Sequence, residues 1–236
     1  MPNILALDTS SDYCSVSLYS KGKLSSQSEL APRSHTQLLL PMAKQIVENA
    51  ELQLKDLDAI AFGCGPGSFT GLRIAAGVAQ GLAYGLGCSV FPISNLQAMA
   101  LQCYKQSGQK NVLVALDARM NEVYWSVVQI NVSEQVATVE TIGSEHVSTP
   151  ETVFLLDDSE SEQFAGIGSG FDFFKRFPIE IQQRVNCLDS NARPKADEIC
   201  ALALHAIQQG KSGELKDAMP SYIRDKVTWQ KLPGRE

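Results

Sequence analysis

One arrangement of elements occurs twice along the chain and restricts its fold more than any other feature. A short apolar strand that begins at Ile4 ends at Asp8, and two strands and a helix follow it. A second apolar strand begins at Val112 and ends at Asp117, and further strands follow it too. Repetition on the scale of half a chain indicates two related units, so the sequence predicts an α/β protein of two lobes. The predicted lobes are residues 1–106 and 107–236.

Apolar periodicity predicts the individual helices and strands. Helices are predicted over residues 34–50, 69–86, 94–106 and 195–209. Strands are predicted over residues 4–7, 14–19, 24–30, 59–62, 112–116, 123–130, 136–142 and 164–167. We expect the last helix to pack back on the first lobe, and we expect the polar tail from Ser221 onward to be loosely held.

The composition limits the classes of protein to which the chain can belong. Of its 236 residues, 44% are hydrophobic and 19% are charged, which is typical of an ordered globular protein. The formal net charge of −6 argues against unaided binding to nucleic acid, because that needs concentrated Lys and Arg. The six cysteines form no C-x-x-C pair, which favours reduced thiols. We expect a cytoplasmic protein, since we find no signal peptide and no apolar run long enough to span a membrane.

A glycine-rich segment from Gly63 to Ile74 joins a predicted strand to a long helix. It lacks the Gly-Lys-Ser/Thr of a Walker A motif and the spacing of G-x-G-x-x-G, and Pro66 stands where a nucleophile elbow needs glycine. Ser68 is therefore predicted to cap the helix rather than to act as a nucleophile. The N–H groups of such a helix start can hold an anion, and its glycines can instead admit another backbone. The sequence leaves both interpretations open.

Two aspartate corners recur at equivalent places in the repeat. Asp8-Thr9-Ser10 ends the first strand, and Asp117-Ala118-Arg119 ends the corresponding strand of the second half. Carboxylates and hydroxyls at such corners can meet phosphate-bound magnesium, or they can cap turns. On two facing lobes the corners would close on one nucleotide from both sides. The candidate nucleotide or anion contacts are Asp8, Thr9, Ser10, Gly65, Gly67, Ser68, Thr70, Asp117 and Arg119.

Small residues line two faces of the helix that follows the glycine-rich segment. The first row is Gly71, Ala75, Ala79, Ala83 and Gly87, and the second row is Gly77, Gly81 and Gly85. A glycine inside a helix costs about 0.5–1 kcal/mol relative to alanine, so close approach of another element must offset that cost. The approaching element is either the chain's own sheet or a partner that also meets the helix of residues 34–50.

Five motifs together carry a resemblance to a known family. They are Asp8-Thr9-Ser10, Arg33-Ser34-His35 with Leu38-Leu39-Leu40-Pro41, Gly65-Pro66-Gly67-Ser68-Phe69-Thr70-Gly71-Leu72-Arg73-Ile74, Asp117-Ala118-Arg119 with Glu122-Val123-Tyr124, and Pro220-Ser221-Tyr222-Ile223-Arg224. In this order, and over nearly the whole chain, the motifs resemble those of the TsaB (YeaZ) family. The ten-residue glycine segment is the most specific of them.

The resemblance implies an actin-like, sugar-kinase-like fold with a duplicated lobe. It also implies a role in making N6-threonylcarbamoyladenosine at position 37 of tRNAs that read codons beginning with A. In that pathway TsaC makes an adenylate donor, TsaD transfers the threonylcarbamoyl group, and the ATPase TsaE joins the complex. TsaB-like proteins are the non-catalytic partner of TsaD, and they form homodimers in its absence. We therefore expect contact with tRNA only through the complex and no membrane association.

The resemblance also implies where the partner binds, namely on the helices of the first lobe. The predicted interface residues are Leu38, Leu39, Met42, Ile46, Gly71, Ala75, Val78, Ala79, Leu82 and Ala83. TsaD-like enzymes carry an H-x-x-x-H metal motif, and His35, His146 and His205 form no such pair here. No metal site and no catalytic residue are therefore predicted, and no cofactor is required, although binding of ATP or ADP stays open.

Two other functions compete with the scaffold interpretation. An ATP-dependent phosphotransferase of the same broad fold would place Asp8 or Asp117 near the phosphates. A metallopeptidase is suggested only by older naming of the superfamily, and the absence of paired histidines counts against it.

Overall fold

Two mixed five-stranded sheets form the framework of the protein in the computed structural model, which describes residues 1–133, 136–156 and 162–224. The first sheet contains β1 (Ile4–Asp8), β2 (Tyr13–Ser20), β3 (Lys23–Leu30), β4 (Ala59–Gly65) and β5 (Ser89–Ser94), in the order β3-β2-β1-β4-β5. The second sheet contains β6 (Asn111–Asp117), β7 (Val123–Ser133), β8 (Val136–Ser148), β9 (Phe164–Ile167) and β10 (Val185–Asp189), in the order β10-β9-β6-β7-β8.

The two sheets have the same topology when each is counted from its own first strand. In each sheet the first three strands pair antiparallel, and the fourth strand lies parallel to the first and to the fifth. The repeated strand pattern predicted from the sequence is thereby confirmed. The strands β5 and β10 were missed, because each is short and lies next to a helix or turn in the chain.

Five α-helices connect and cover the sheets in the described part of the chain. They are α1 (His35–Asn49), α2 (Phe69–Leu86), α3 (Asn95–Ser107), α4 (Ile179–Arg184) and α5 (Ala196–Gln208). Short 3₁₀ turns lie at Leu54–Asp56, Pro150–Thr152, Ser169–Arg176 and Leu215–Asp217. The prediction for α2 matches its bounds, and those for α1, α3 and α5 agree to within one residue at each end. None of the helices in this part of the chain combines the length and apolarity needed to cross a bilayer.

The helices α3 and α5 each pack on the sheet of the other half of the chain, α3 on the second sheet and α5 on the first. The helices α1 and α2 cover one face of the first sheet, and α5 covers the other face with Ile199 and Ala203. The helix α3 packs instead on the second sheet, where Leu96 and Met99 lie against the apolar side chains of β6 and β9. The boundary after residue 106 therefore does not separate the packing units, because α3 belongs with the sheet that follows it.

Burial follows from each strand's position in its sheet. The central strand β1 has helices on both faces, and all five of its residues are buried. The edge strand β3 is polar and almost wholly exposed, which discourages pairing with another sheet edge. None of the six cysteines, all of which lie in the described part of the chain, forms a disulfide, and four of them are buried.

Two glycines of α2 provide a matched test of how this helix packs. A Cβ added at Gly71 would overlap the backbone carbonyl oxygen of Thr9, whereas one added at Gly77 would meet no atom within 4 Å. Gly71→Ala should therefore lower the free energy of unfolding by about 1–3 kcal/mol through overpacking. Gly77→Ala should raise it by about 0.5–1 kcal/mol through helix propensity. Urea denaturation of both variants measures the difference, and equal effects would contradict this packing of α2.

Candidate functional site

The first aspartate corner is built onto the N-terminal turn of α2. The hydroxyl of Thr9 donates to the carbonyl oxygen of Gly71 at 2.7 Å, and the amide of Ser68 donates to the carbonyl oxygen of Ser10 at 2.8 Å. The side chain of Ser68 accepts a hydrogen bond from the amide of Gly71 at 3.3 Å. The prediction that Ser68 caps the helix is confirmed, and the corner and the helix start hold each other in place.

The glycines of the glycine-rich segment admit other parts of the chain. A Cβ at Gly67 would lie 2.8 Å from the Cβ and the carbonyl oxygen of Ser10. Gly65 has a φ of +129°, and a Cβ there would lie 2.7 Å from the carbonyl oxygen of Ser221. Together with Gly71 against Thr9, these contacts favour the interpretation in which the glycines admit a backbone. Thr70 is exposed at the helix start and contributes nothing to this packing.

The carboxyl group of Asp8 is enclosed and only partly hydrogen-bonded. Its Oδ1 accepts from the amide and the hydroxyl of Ser10 at 3.2 and 3.1 Å, and its Oδ2 has no partner among the described residues. Burial raises the pKa of Asp8 to about 7, although the hydrogen bonds from Ser10 oppose that rise. In the folded state Asp8 therefore releases its proton at a much higher pH than an ordinary aspartate does.

A second orphaned oxygen lies next to Asp8. Asn95, which is wholly buried at the start of α3, donates from Nδ2 to the carbonyl oxygen of Pro66 at 2.9 Å, but its Oδ1 accepts from no group in the described part of the chain. A Cβ added at Gly63 would collide with both Asn95 Oδ1 and Asp8 Oδ2, so the two oxygens face the same point. A protonated Asp8 carboxyl supplies the hydrogen-bond donor that this pair of acceptors lacks. No motif in the sequence singles out Asn95.

The second aspartate corner makes its contacts separately from the first. The hydroxyl of Ser169 accepts from the amide of Asp117 at 3.0 Å, and the carboxylate of Asp117 accepts from the amide of Arg119 at 2.8 Å. The guanidinium of Arg119 pairs with Asp117 at 3.4 Å and is largely exposed. Three successive residues here, Arg119, Met120 and Asn121, have φ values between 54° and 63°, which non-glycine residues rarely adopt. We call residues 117–122 the corner loop.

A C-terminal segment, residues 218–224, lies across the glycine-rich segment and reaches the corner loop. We call this segment the strap. The amide of Ser221 donates to the carbonyl oxygen of Cys64 at 2.7 Å, and the hydroxyl of Tyr222 accepts from Arg73 Nε at 3.0 Å. The guanidinium of Arg224 donates to Ala118 O at 3.1 Å and pairs with the carboxylate of Glu122.

The strap corrects the prediction of a loosely held tail. That prediction is wrong for residues 221–224, because backbone and side-chain hydrogen bonds fix them to both lobes. Residues 225–236, the rest of the predicted tail, lie outside the described residues. The Pro220–Arg224 motif was the available signal for the strap, although its spacing alone does not say what it contacts.

The structure also corrects the predicted partner interface. Seven of the ten residues are buried in the chain's own core, where no partner can reach them: Leu39, Met42, Ile46, Gly71, Ala75, Ala79 and Ala83. Leu38, Val78 and Leu82 are half-buried and pack against the same core. The first row of small residues on α2 therefore faces its own sheet, and the prediction for the seven buried residues is wrong.

The second row of small residues on α2 is open. A Cβ added at Gly77, Gly81 or Gly85 would meet no atom within 4 Å. Beside this row lies an open groove of about 670 Å³, which we call the α2 groove. It is lined by Gly77, Gln80, Gly81, Tyr84, Leu215, Lys216 and Met219. Tyr84 is 79% exposed and Met219 is 59% exposed, so the groove presents large apolar side chains to solvent.

The histidine and cysteine side chains give no metal centre within the described residues. No group of three or more His, Cys, Asp or Glu side chains there is arranged to hold a metal ion. His146 stacks on the ring of Trp125 with 4.4 Å between ring centroids, and His205 contacts the amide of Gln209. The three histidines thus lie in separate environments.

Fold and site together define a two-lobed α/β protein whose glycine-rich segment and second aspartate corner are joined by its own C-terminal strap. A family model described as TsaD, tRNA N6-adenosine threonylcarbamoyltransferase, matches residues 23–231. The tRNA threonylcarbamoyladenosine biosynthesis protein TsaB of Haemophilus influenzae is 41% identical to the chain, and the match covers 99% of the chain and 98% of the relative. The TsaB of Escherichia coli K12 is 37% identical, with 99% of each covered.

A solved structure agrees with these relatives. YeaZ from Pseudomonas aeruginosa superposes with a TM-score of 0.86 at 40% identity, over 94% of this chain and 100% of that chain. The chain therefore belongs to the TsaB (YeaZ) family, as the resemblance of its motifs indicated.

Replacing the enclosed carboxyl of Asp8 should change the pH dependence of stability. The folded state holds the Asp8 proton with a pKa of about 7, against an ordinary value of 3.8. The folded protein therefore binds more protons than the unfolded chain between about pH 4 and 7, and stability falls as pH rises through this range. Asp8→Asn removes the titration and offers Asn95 a donor, so at pH 8 it should raise the free energy of unfolding by on the order of 2 kcal/mol.

Thermal or urea unfolding from pH 4 to 8 measures this effect. Asp12→Asn, which removes an exposed carboxyl close by, is the control and should leave the pH profile unchanged. A variant Asp8→Asn that is less stable than the wild type at pH 8 would contradict a protonated, enclosed carboxyl.

Proposed function

We propose that the chain is the non-catalytic partner subunit of a TsaD-type threonylcarbamoyl transferase. In this role it supports formation of N6-threonylcarbamoyladenosine at position 37 of tRNAs that read codons beginning with A. Its relatives from H. influenzae and E. coli carry the name of tRNA threonylcarbamoyladenosine biosynthesis proteins. The observation that carries the proposal is the closure of the glycine-rich segment and the first corner by the chain's own backbone.

The closed corner supports a non-catalytic role. A nucleotide phosphate at the glycine-rich segment would have to displace the strap from Cys64 and Gly65. A magnesium ion at Asp8 would need an ionised carboxylate, whereas burial favours the protonated acid there. Both changes oppose the binding that a phosphotransferase of this fold needs, and so the chain contributes a surface rather than a reaction centre.

The open face of α2 supports pairing with another subunit. Gly77, Gly81 and Gly85 each cost helix stability, and among the described residues no atom lies within 4 Å of a Cβ at any of them to offset the cost. A partner helix lying across this row can approach to a short interaxial distance, with Tyr84 and Met219 as apolar anchors beside it. This face replaces the buried row of the predicted interface. On α1, Leu40 is also exposed.

As a subunit of this kind, we propose, the chain has a fold of the actin-like, sugar-kinase-like class. It works in the cytoplasm and requires no cofactor. Because the chain has a net charge of −6, we expect other subunits to make most of the contacts with tRNA. A TsaE-type ATPase joins the assembly, and two copies of the chain pair through the α2 groove when the TsaD-type partner is missing.

An enlarged side chain in the α2 groove should block pairing without harming the fold. At Gly81 the described residues place no atom within 4 Å of an added Cβ, and leucine there improves helix propensity. It should weaken binding to a TsaD-type homologue about tenfold or more, because it overpacks the contact. Isothermal titration with the two purified proteins measures the affinity. Gln106→Leu, on the exposed end of α3, is the matched control, and equal affinities for both variants would place the partner elsewhere.

The phosphotransferase alternative makes opposite predictions for Asp8. As a non-catalytic subunit, the purified chain should turn over no ATP above background. The variant Asp8→Asn should then support tRNA modification by the reconstituted complex as well as the wild type does. A phosphotransferase would show robust ATP turnover that Asp8→Asn abolishes. Product analysis of tRNA nucleosides together with an ATPase assay separates the two functions.

A further inference from the structure

The strap connects two surfaces that have no other described link. At one end it borders the α2 groove, where Met219 is a lining residue and Gln80 Nε2 donates to the carbonyl oxygen of Ala218 at 2.5 Å. At the other end Arg224 contacts the corner loop of the second lobe. A segment of seven residues thus spans from the first lobe to the second.

The middle of the strap is fastened firmly to the first lobe. The ring of Tyr222 packs on Phe69 with 5.4 Å between centroids, and the guanidinium of Arg73 lies 3.9 Å from the Phe69 ring centroid. Arg73 Nε also donates to the Tyr222 hydroxyl at 3.0 Å. Phe69 and Arg73 belong to the first turns of α2, so the position of Tyr222 follows the position of that helix.

The corner loop depends on contacts from outside itself. Its three successive left-handed residues are an unfavourable backbone conformation that the surroundings must hold. Arg224 donates to the carbonyl oxygen of Ala118, pairs with Glu122, and brings Nη1 to 3.2 Å from the sulfur of Met120. Arg224 therefore contacts the residues on both sides of the three left-handed residues and the side chain of the middle one.

We propose that the strap couples the α2 groove to the corner loop. A molecule seated in the groove contacts Met219 and thereby restrains the strap, and the restrained strap holds Arg224 on the loop. By thermodynamic reciprocity, a loop held in its observed conformation favours occupancy of the groove. The identity of the occupant as a TsaD-type subunit rests on the proposed function, whereas the link between strap and loop is a property of the chain alone.

The free chain tests the link through amide hydrogen exchange. The amides of Ala118 and Glu122 are both hydrogen-bonded within the loop and report on its opening. Tyr222→Ala removes the anchor on α2 but no contact to the loop, and it should speed exchange at these two amides by about tenfold. Tyr222→Phe keeps the ring stacking and should have a smaller effect.

Two further variants serve as a direct test of the loop contact and as a control. Arg224→Gln removes the contact to the loop itself and should speed exchange at least as much as Tyr222→Ala. Arg176→Gln breaks a surface ion pair with Glu151 in the same lobe and should leave the loop unchanged. If Arg224→Gln speeds exchange and Tyr222→Ala does not, the contact is local and the coupling is overturned. Unchanged exchange in both variants overturns it as well.

The partner arm tests the coupling from the other side. Binding of a TsaD-type homologue should slow exchange at Ala118 and Glu122 in the wild type, and Arg224→Gln should weaken that binding several-fold. Arg176→Gln should bind as the wild type does. If the wild-type chain binds no such homologue, the proposed function fails and the exchange data on the free chain still decide whether the strap is coupled to the loop. If the homologue binds Arg224→Gln and wild type equally, the coupling to the groove is overturned.

Discussion

The contact between the first turn of α2 and the turn after β1 sets the arrangement of the whole first lobe. Gly71 lies directly against the carbonyl oxygen of Thr9, and the Thr9 hydroxyl returns a hydrogen bond to the carbonyl oxygen of Gly71. No side chain fits between the two backbones, so the rotation of α2 about its own axis is fixed at this point. That rotation turns one row of small residues into the core and the other toward solvent.

Two features of the first lobe follow from that rotation. The inward row lets α2 lie close to its sheet and closes the glycine-rich segment over the first corner, where Asp8 is enclosed and its pKa is raised. The outward row leaves the α2 groove open beside Tyr84. The proposed role as a partner subunit rests on these two features, a first corner closed to solvent and a face of α2 that is open to it.

The sequence predicted the repeated sheets well, since buried strands that end at aspartate are strong local signals. It also predicted the bounds of α2 and the capping role of Ser68, because a serine in front of an apolar helix is a local signal too. It did not predict which row of α2 faces inward, because rows four residues apart look alike until a tertiary contact fixes the rotation. The strap escaped prediction because its hydrogen bonds join Ser221 and Arg224 to residues more than 100 positions away. The sequence did not point to Asn95, because the residue belongs to no motif and its importance depends on its burial in the folded chain.

Because α3 covers the second sheet and α5 covers the first, each lobe needs a helix from the other half of the chain to bury its core. Removing the second half of the chain would strip α5 from the first sheet and leave Ile4, Ala6 and Ala61 facing water. Removing the first half would likewise uncover the face of the second sheet that α3 protects. Neither lobe is an independent module, and gene fusions or truncations that divide the molecule between α3 and β6 separate each sheet from one of the helices that cover it.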